Sequence, residues 1–306
     1  MKTTKTWLFL LVLIAGSMSA QNITVSNRYE MGGTNVPKMA FHPVFNTTGD
    51  KLLFSSDSYN GLSMYDMKTK AVTNISNDPG AGYEPLFDAQ TLKVFYRKTT
   101  FDKGRRMDAM VSYDISKNQK VQMLSPQRDL KLARNFHNGF VVTADRNMLK
   151  ATFGKTNNAL PVYVTTQDLK IYLYKDQKFQ ILNPLNETDS RYLWVSLSPN
   201  GKMILFTAAG KGTHVCDLSG KVIATLGYLN APVWYDDNYV VGMQDKDDGH
   251  VITSSKVMMV SLNGKVKAQI SKADEIAMYP AATAKSSKIA YNTINGKIQI
   301  TEIEIK

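Results

Sequence analysis

The chain repeats itself. One pattern, a residue followed by proline, a short strand, a tight turn and a second apolar strand, recurs at Phe41-His42-Pro43-Val44-Phe45, Tyr83-Glu84-Pro85-Leu86-Phe87, Asn230-Ala231-Pro232-Val233-Trp234 and Met278-Tyr279-Pro280-Ala281-Ala282. A further copy, Leu193-Trp194-Val195-Ser196-Leu197, carries Val195 in the proline position. Spacing between neighbouring copies is 42 residues from Pro43 to Pro85, 37 from Val195 to Pro232 and 48 from Pro232 to Pro280. A unit of that length that cannot bury its apolar face alone must stack on its neighbours, and four short strands per unit is the propeller solution.

Each pair is followed by a third and a fourth strand. Leu62-Ser63-Met64-Tyr65-Asp66 and Ala71-Val72-Thr73-Asn74-Ile75 are one such couple; Val257 to Leu262 and Lys265 to Ile270 are another. Between them stand turn sequences such as Leu218-Ser219-Gly220 and Leu262-Asn263-Gly264, where Gly and Asn suit positive φ. The 110 residues from Pro85 to Val195 read as two periods plus an insertion, which predicts one divergent third blade near 130–184. After Lys297 to Ile305 the last copy has no fourth strand, while Ile23 to Tyr29 forms a strand with no blade of its own. The expectation is therefore an all-β, six-bladed propeller of four-stranded blades, its last blade completed by the N-terminal strand. Such closure removes sheet edges that invite aggregation. The third blade's register, and with it a seven-bladed ring, stays open at this stage.

The unit Pro-x-aromatic-(Ser/Asn/Thr)-x-(Asn/Asp/Gly)-(Gly/Asp)-Lys before an apolar strand, clearest from Pro43 to Phe54 and from Ser196 to Phe206, resembles the PD40-type, WD40-like repeat of TolB-like propellers. The resemblance covers five copies and implies an envelope scaffold or a binding module. Similar repeats also form the propeller half of prolyl-oligopeptidase-type peptidases. Here no Gly-x-Ser-x-Gly occurs and no hydrolase-sized region follows Lys306. The resemblance also implies that TolB itself carries an α/β domain before its propeller. About sixteen residues separate the expected mature terminus from Pro37, so TolB's own role is not carried over.

Residues 1–20 read as a signal peptide. Lys2 and Lys5 precede the apolar run Trp7 to Ala15, and Gly16-Ser17-Met18-Ser19-Ala20 supplies a small-residue cleavage site after Ser19 or Ala20. The run is too short for a permanent span. The expectation is export to the periplasm or the outer surface, with residues 21–306 as one propeller domain that is a monomer and has no transmembrane anchor. No cysteine follows the run to carry a lipid, and Cys216 stands alone, so it reads as a buried apolar residue rather than half of a disulfide. Sequons at Asn22, Asn46, Asn74 and Asn186 are treated as turn residues.

The net charge of +11, or +9 without Lys2 and Lys5, favours anionic partners. The lysines are scattered over turns, and nucleic acid is not expected. The basic groups that cluster are Lys103-Gly104-Arg105-Arg106, at the tip of a long hairpin in the second blade, and Arg128, Lys131, Arg134 and Arg146. Such a loop could grip an acidic partner.

The four histidines, His42, His137, His214 and His250, show no metal-ligand spacing. Asp245-Lys246-Asp247-Asp248-Gly249-His250 is the densest acidic stretch. Asp245, Asp247 and Asp248 would suit calcium, or would simply build a polar hairpin turn.

The leading site argument is geometric. The first strand of each blade lines the channel, so residues just before the repeat proline should ring one mouth. They are His42, Tyr83, Glu84, Trp194, Ala231 and Tyr279, with Arg191 close by. Such a ring could stack on sugars or clasp a peptide. Tyr83, Trp194 and Tyr279 could instead wedge between blades. The function expected is non-catalytic binding of an envelope protein or glycan. The alternative is a glycoside hydrolase or lyase with its active site at the mouth, for which Glu84 would need a second carboxylate roughly 5–10 Å away.

Overall fold

The computed structural model describes residues 22–88, 92–135, 139–144, 148–153 and 162–306. The segment 1–20 expected to be a signal peptide, His137 and Arg146 lie outside them, as does the side chain of Arg134. The chain opens with β1 (Ile23–Glu30). The first sheet is β2 (Phe41–Phe45), β3 (Lys51–Ser55), β4 (Leu62–Asp66) and β5 (Val72–Ser76). The second is β6 (Leu86–Phe87), β7 (Lys93–Asp102), β8 (Arg105–Asp114) and β9 (Gln119–Gln127). The third and fourth have three strands each: β10 (Lys131–Asn135), β11 (Gly139–Ala144) and β12 (Met148–Phe153), then β13 (Tyr163–Gln167), β14 (Lys170–Lys175) and β15 (Lys178–Leu182).

Four strands return in the fifth sheet, β16 (Tyr192–Leu197), β17 (Met203–Ala208), β18 (Gly212–Asp217) and β19 (Val222–Gly227). The sixth is β20 (Asn230–Trp234), β21 (Tyr239–Asp247), β22 (Ile252–Ser261) and β23 (Lys267–Gln269). The last is β24 (Ala277–Thr283), β25 (Lys288–Thr293) and β26 (Ile298–Ile305), with β1 as its outer strand in the order β1-β26-β25-β24.

The fold is thus an all-β propeller of antiparallel blades, closed as expected. β1 pairs β26 from Ile23 opposite Ile305 to Glu30 opposite Gln299. Asn22 and Lys306 exchange both backbone bonds, at 2.8 and 2.9 Å. Five blades have the four strands anticipated. The arc expected to hold one divergent blade differs: residues 131–182 form two three-stranded sheets. Their first strands take successive places in the ring, β10 against β13 and β13 against β16. The length argument missed this because neither sheet spends residues on an outer strand. Divided by three, the 110-residue gap gives about 37 residues per interval, the same as Val195 to Pro232.

The core follows the ring. One apolar cluster joins the last sheet to the first through Ile298, Ile300, Leu52, Phe54 and Tyr65. Others join the first to the second through Leu53, Leu62, Val94 and Tyr96, and the fifth to the sixth through Leu205, Leu229 and Val240. At one register position in the second strand of each four-stranded blade stand Phe54, Tyr96, Phe206, Gly242 and Tyr291. The four aromatics there are buried and act as the inter-blade wedges. At Gly242 a Cβ would come within 3.0 Å of the Leu229 side chain, which fills that space. Among the described residues no helix is long and apolar enough to cross a membrane; one 3-10 turn, Ala284–Ser286, is present.

Candidate functional site

One device recurs in the first strands around the ring. In the first strand of four blades two residues face one of the second strand, between Phe41 and Val44, Leu193 and Ser196, Asn230 and Val233, and Met278 and Ala281. These are β-bulges, which bend a strand and re-aim a side chain. Within them His42, Trp194, Ala231 and Tyr279 have φ of 55°, 49°, 44° and 51°, and Glu84, just before β6, has 50°. Left-handed backbone is uncommon outside glycine, and each such residue costs on the order of 1–3 kcal/mol. Four of the five precede proline, whose ring already restricts its predecessor. A fold that needed only packing would place glycine there. Retaining His, Glu, Trp and Tyr at these positions keeps their side chains, not just the bend.

An aromatic chain runs along one arc. The ring of Tyr279 lies 4.7 Å from that of His42, and His42 stacks on Tyr59 at 3.9 Å. Tyr59 in turn meets Tyr83 edge-on at 5.2 Å, and the Arg97 guanidinium lies 4.6 Å over the Tyr83 ring. Arg97 Nη2 donates to the Glu84 carboxylate at 2.8 Å. The His42 backbone N–H donates to Asn292 Oδ1 at 3.1 Å, and its Nε2 pairs with the Asp57 carbonyl at 3.0 Å. Tyr59 and Asp57 come from the β3–β4 loop, so that loop and the bulges face the same side. Trp194 sits in β16 of the fifth sheet and Arg191 just before it; Arg191 is exposed and Trp194 is 42% exposed. Tyr83 is 36% exposed. The exposure of Trp194 and Tyr83 sets them apart from the fully buried second-strand aromatics, which do the wedging.

Burial first, then the neighbouring Tyr279, Tyr83 and Glu84 charges, pushes the Tyr59 hydroxyl up to about 12, so it stays a neutral donor. The negative charge of Glu84, then burial, raises Tyr83. Burial lowers His42 from its ordinary value of 6.5, against the opposing hydrogen bond and charge at Asp57. Because the folded value lies below the unfolded one, the unfolded chain takes up the proton first. Stability contributed by neutral His42 is therefore complete above about pH 6.5 and is lost as pH falls from there through the lower folded value. In a 1H–15N titration of His42, the expected midpoint is below 6.5; a midpoint at or above it would mean the ring is not packed between Tyr59 and Tyr279 as described.

The acidic stretch behaves as a turn. Asp247 accepts the Gly249 N–H, and one oxygen of Asp248 accepts the N–H groups of His250 and Val251, all at 2.9 Å. Asp245 faces away from that turn and accepts the Asn230 amide at 3.0 and 3.3 Å. Among the described residues no three His, Cys, Asp or Glu side chains are grouped as a metal would require. The basic hairpin is where it was expected: Lys103 and Gly104 form its two-residue tip, with φ of 47° and 75°, and Asp102 pairs Arg105. Arg106 is drawn back to Asp108 at 3.2 Å. Lys131 turns inward and donates to the Thr166 carbonyl.

Sequence reasoning did not find Arg97. Its register position is that of Ser55, Thr207, Met243 and Asn292 in the other four-stranded blades. All five are buried, Arg97 to 4% exposure, yet only one of them is charged. Aligning the second strands rather than the prolines would have exposed the odd residue.

The repeated first strands and ring closure define a β-propeller. Among solved structures the chain is similar to TolB from Acinetobacter baumannii, at 16% identity and a TM-score of 0.54, over 82% of this chain and 58% of that one. The chain thus spans a little over half the length of that relative, and the likeness concerns the fold. No family model matches the sequence, and no curated protein matches it.

Proposed function

We propose that this protein is an exported, non-catalytic binding propeller that holds an extended segment of a cell-envelope protein at its channel mouth. The observation that supports the reading is that the residues just before the repeat position, His42, Glu84, Trp194 and Tyr279, are left-handed without being glycine, at a cost to stability. Exposed Tyr83 and Trp194 supply flat apolar faces with polar rims, the chemistry by which aromatic residues clasp peptides. Export rests on the N-terminal segment, and the positive net charge suits an acidic partner.

The test is crosslinked capture with the tagged protein in its native host, comparing wild type with the Trp194→Ala/Tyr279→Ala variant. The expected result is a reproducible envelope protein whose capture falls at least tenfold in the double variant, with an unchanged melting temperature. Undiminished capture by the double variant would sink the mouth as the site. Capture of glycan without protein would move the reading to a sugar ligand.

A further inference from the structure

We infer that the mouth recognises a carboxylate of an acidic peptide, which displaces Glu84 from the buried guanidinium of Arg97. This rests on the mouth being the binding site and names the chemistry it selects. Four observations converge on it.

First, the scaffold does not need a charge at Arg97, since Ser55, Thr207, Met243 and Asn292 fill the same place in four sister blades. Burying a cation is costly unless it is well paired. Second, Arg97 is poorly paired. Its side chain is 5% exposed, whereas that of its partner Glu84 is 61% exposed. Glu84 engages Nη2, and the buried Nε N–H has no hydrogen-bond partner among the described residues. Nε and Nη2 form one edge of the guanidinium fork, the edge a carboxylate fills with two parallel bonds. Glu84, fixed by left-handed backbone before Pro85, covers half of it.

Third, Tyr83 lies beneath the guanidinium and holds it in place from the other side. Fourth, a second cation stands by. Lys131 is half-buried, and its ammonium, lowered chiefly by burial, responds to the charges of both Glu84 and Arg97. Asp129 and Asp168 also act on Lys131, so it is the lesser partner. With Glu84 swung outward into solvent, Arg97 and Lys131 leave an unbalanced positive site beside an aromatic wall. A peptide carboxylate restores the balance and takes both N–H groups on the Nε edge.

The probe is a fluorescent peptide, (Gly-Glu)6 with an amidated C-terminus, measured by polarisation against (Gly-Gln)6 and against (Gly-Gln)6 with a free C-terminus. The full chain is expected to bind (Gly-Glu)6 at least tenfold more tightly than amidated (Gly-Gln)6. Preference for the free-acid peptide instead would assign the carboxylate to a chain end. Arg97→Met, which installs the side chain that Met243 provides in the sixth blade, is expected to weaken binding at least tenfold. Glu84→Gln, which removes the internal competitor, is expected to tighten it about three- to tenfold.

Generic attraction to a basic protein would not tighten on losing one exposed carboxylate beyond the small effect of net charge. Asp57→Asn, also at the mouth, measures that effect. Unchanged or weaker binding by Glu84→Gln, or unchanged binding by Arg97→Met, overturns the inference. So does loss of binding on Lys103→Ala/Arg105→Ala with none on Arg97→Met, which would put the carboxylate at the hairpin tip. If Arg97→Met melts more than about 5 °C low, Arg97→Ser, the residue of the first blade, and Glu84→Gln decide. Partner capture that depends on Trp194 and Tyr279 yet ignores Arg97→Met keeps the mouth and rejects its carboxylate chemistry.

Discussion

A chain that begins at Met31, without β1, is expected to melt at least 10 °C below the complete protein and to aggregate as it unfolds. The ladder from Ile23 to Glu30 along β26, with the Asn22–Lys306 pair, ties the N-terminal strand to the last blade and so joins the two ends of the ring. A net backbone hydrogen bond contributes about 1 kcal/mol, so losing this ladder removes on the order of 5 kcal/mol. Domains rarely have more than about 5–15 kcal/mol in total. β1 also does more than pair. Arg28 donates to the Ile270 carbonyl beside the sixth sheet, and Tyr29 packs on the cluster that joins last blade to first. Without β1, the edge of β26 lies bare, with the aggregation risk of any unprotected strand. Circular dichroism melting with size-exclusion chromatography reads the result. A melting point within 3 °C of the complete protein would mean that side-chain packing between Ile298, Ile300 and Leu52 closes the ring unaided. A synthetic peptide of residues 22–30 added in trans should restore part of the loss.

The sequence reading succeeded where a residue type has one structural meaning. Proline before a short apolar strand, and Gly or Asn at the turns, located five blades, and the unpaired strand at Ile23 located the closure. It failed between Pro85 and Val195, where no copy carries the proline and each sheet lacks an outer strand, so an assumed four-strand period undercounted the sheets. His42, Glu84, Trp194 and Tyr279 were picked out because each immediately precedes the marker position. Their left-handed conformation was not, since no side chain there signals it. Arg97 was hidden because it stands in the second strand, away from the proline marker, and only the fold brings it against Glu84. Tyr59 was missed for a different reason: a tyrosine in the loop before β4 looks like any turn residue until the fold stacks it on His42. Lys131, grouped with other basic residues by charge alone, turns inward to the Thr166 carbonyl.

The aromatics of the mouth and those of the core should separate cleanly in stability measurements, and that separation decides between binding ring and blade wedge. Phe206→Ala is expected to cost about 3–5 kcal/mol, the usual loss for emptying a buried phenylalanine site. Phe206 is fully buried, meets Tyr192 edge-on at 5.3 Å and stacks on His214 at 5.5 Å, so neither neighbour can collapse into the space without losing its own contact. Trp194→Ala should fall within about 0.5 kcal/mol of wild type, as exposed positions do. Trp194→Gly is the sharper variant. Its φ of 49° strains tryptophan but not glycine, so the substitution should be neutral or stabilise by about 1 kcal/mol, despite deleting the largest side chain at the mouth. Denaturant unfolding of the three variants reads these differences directly. If both Trp194 variants instead lose several kcal/mol, the ring is a wedge between blades and the proposed mouth loses its principal contact. If Trp194→Gly is the more stable protein, the wild-type chain is giving up stability to keep an exposed indole at an opening, which packing alone does not require and a bound partner does.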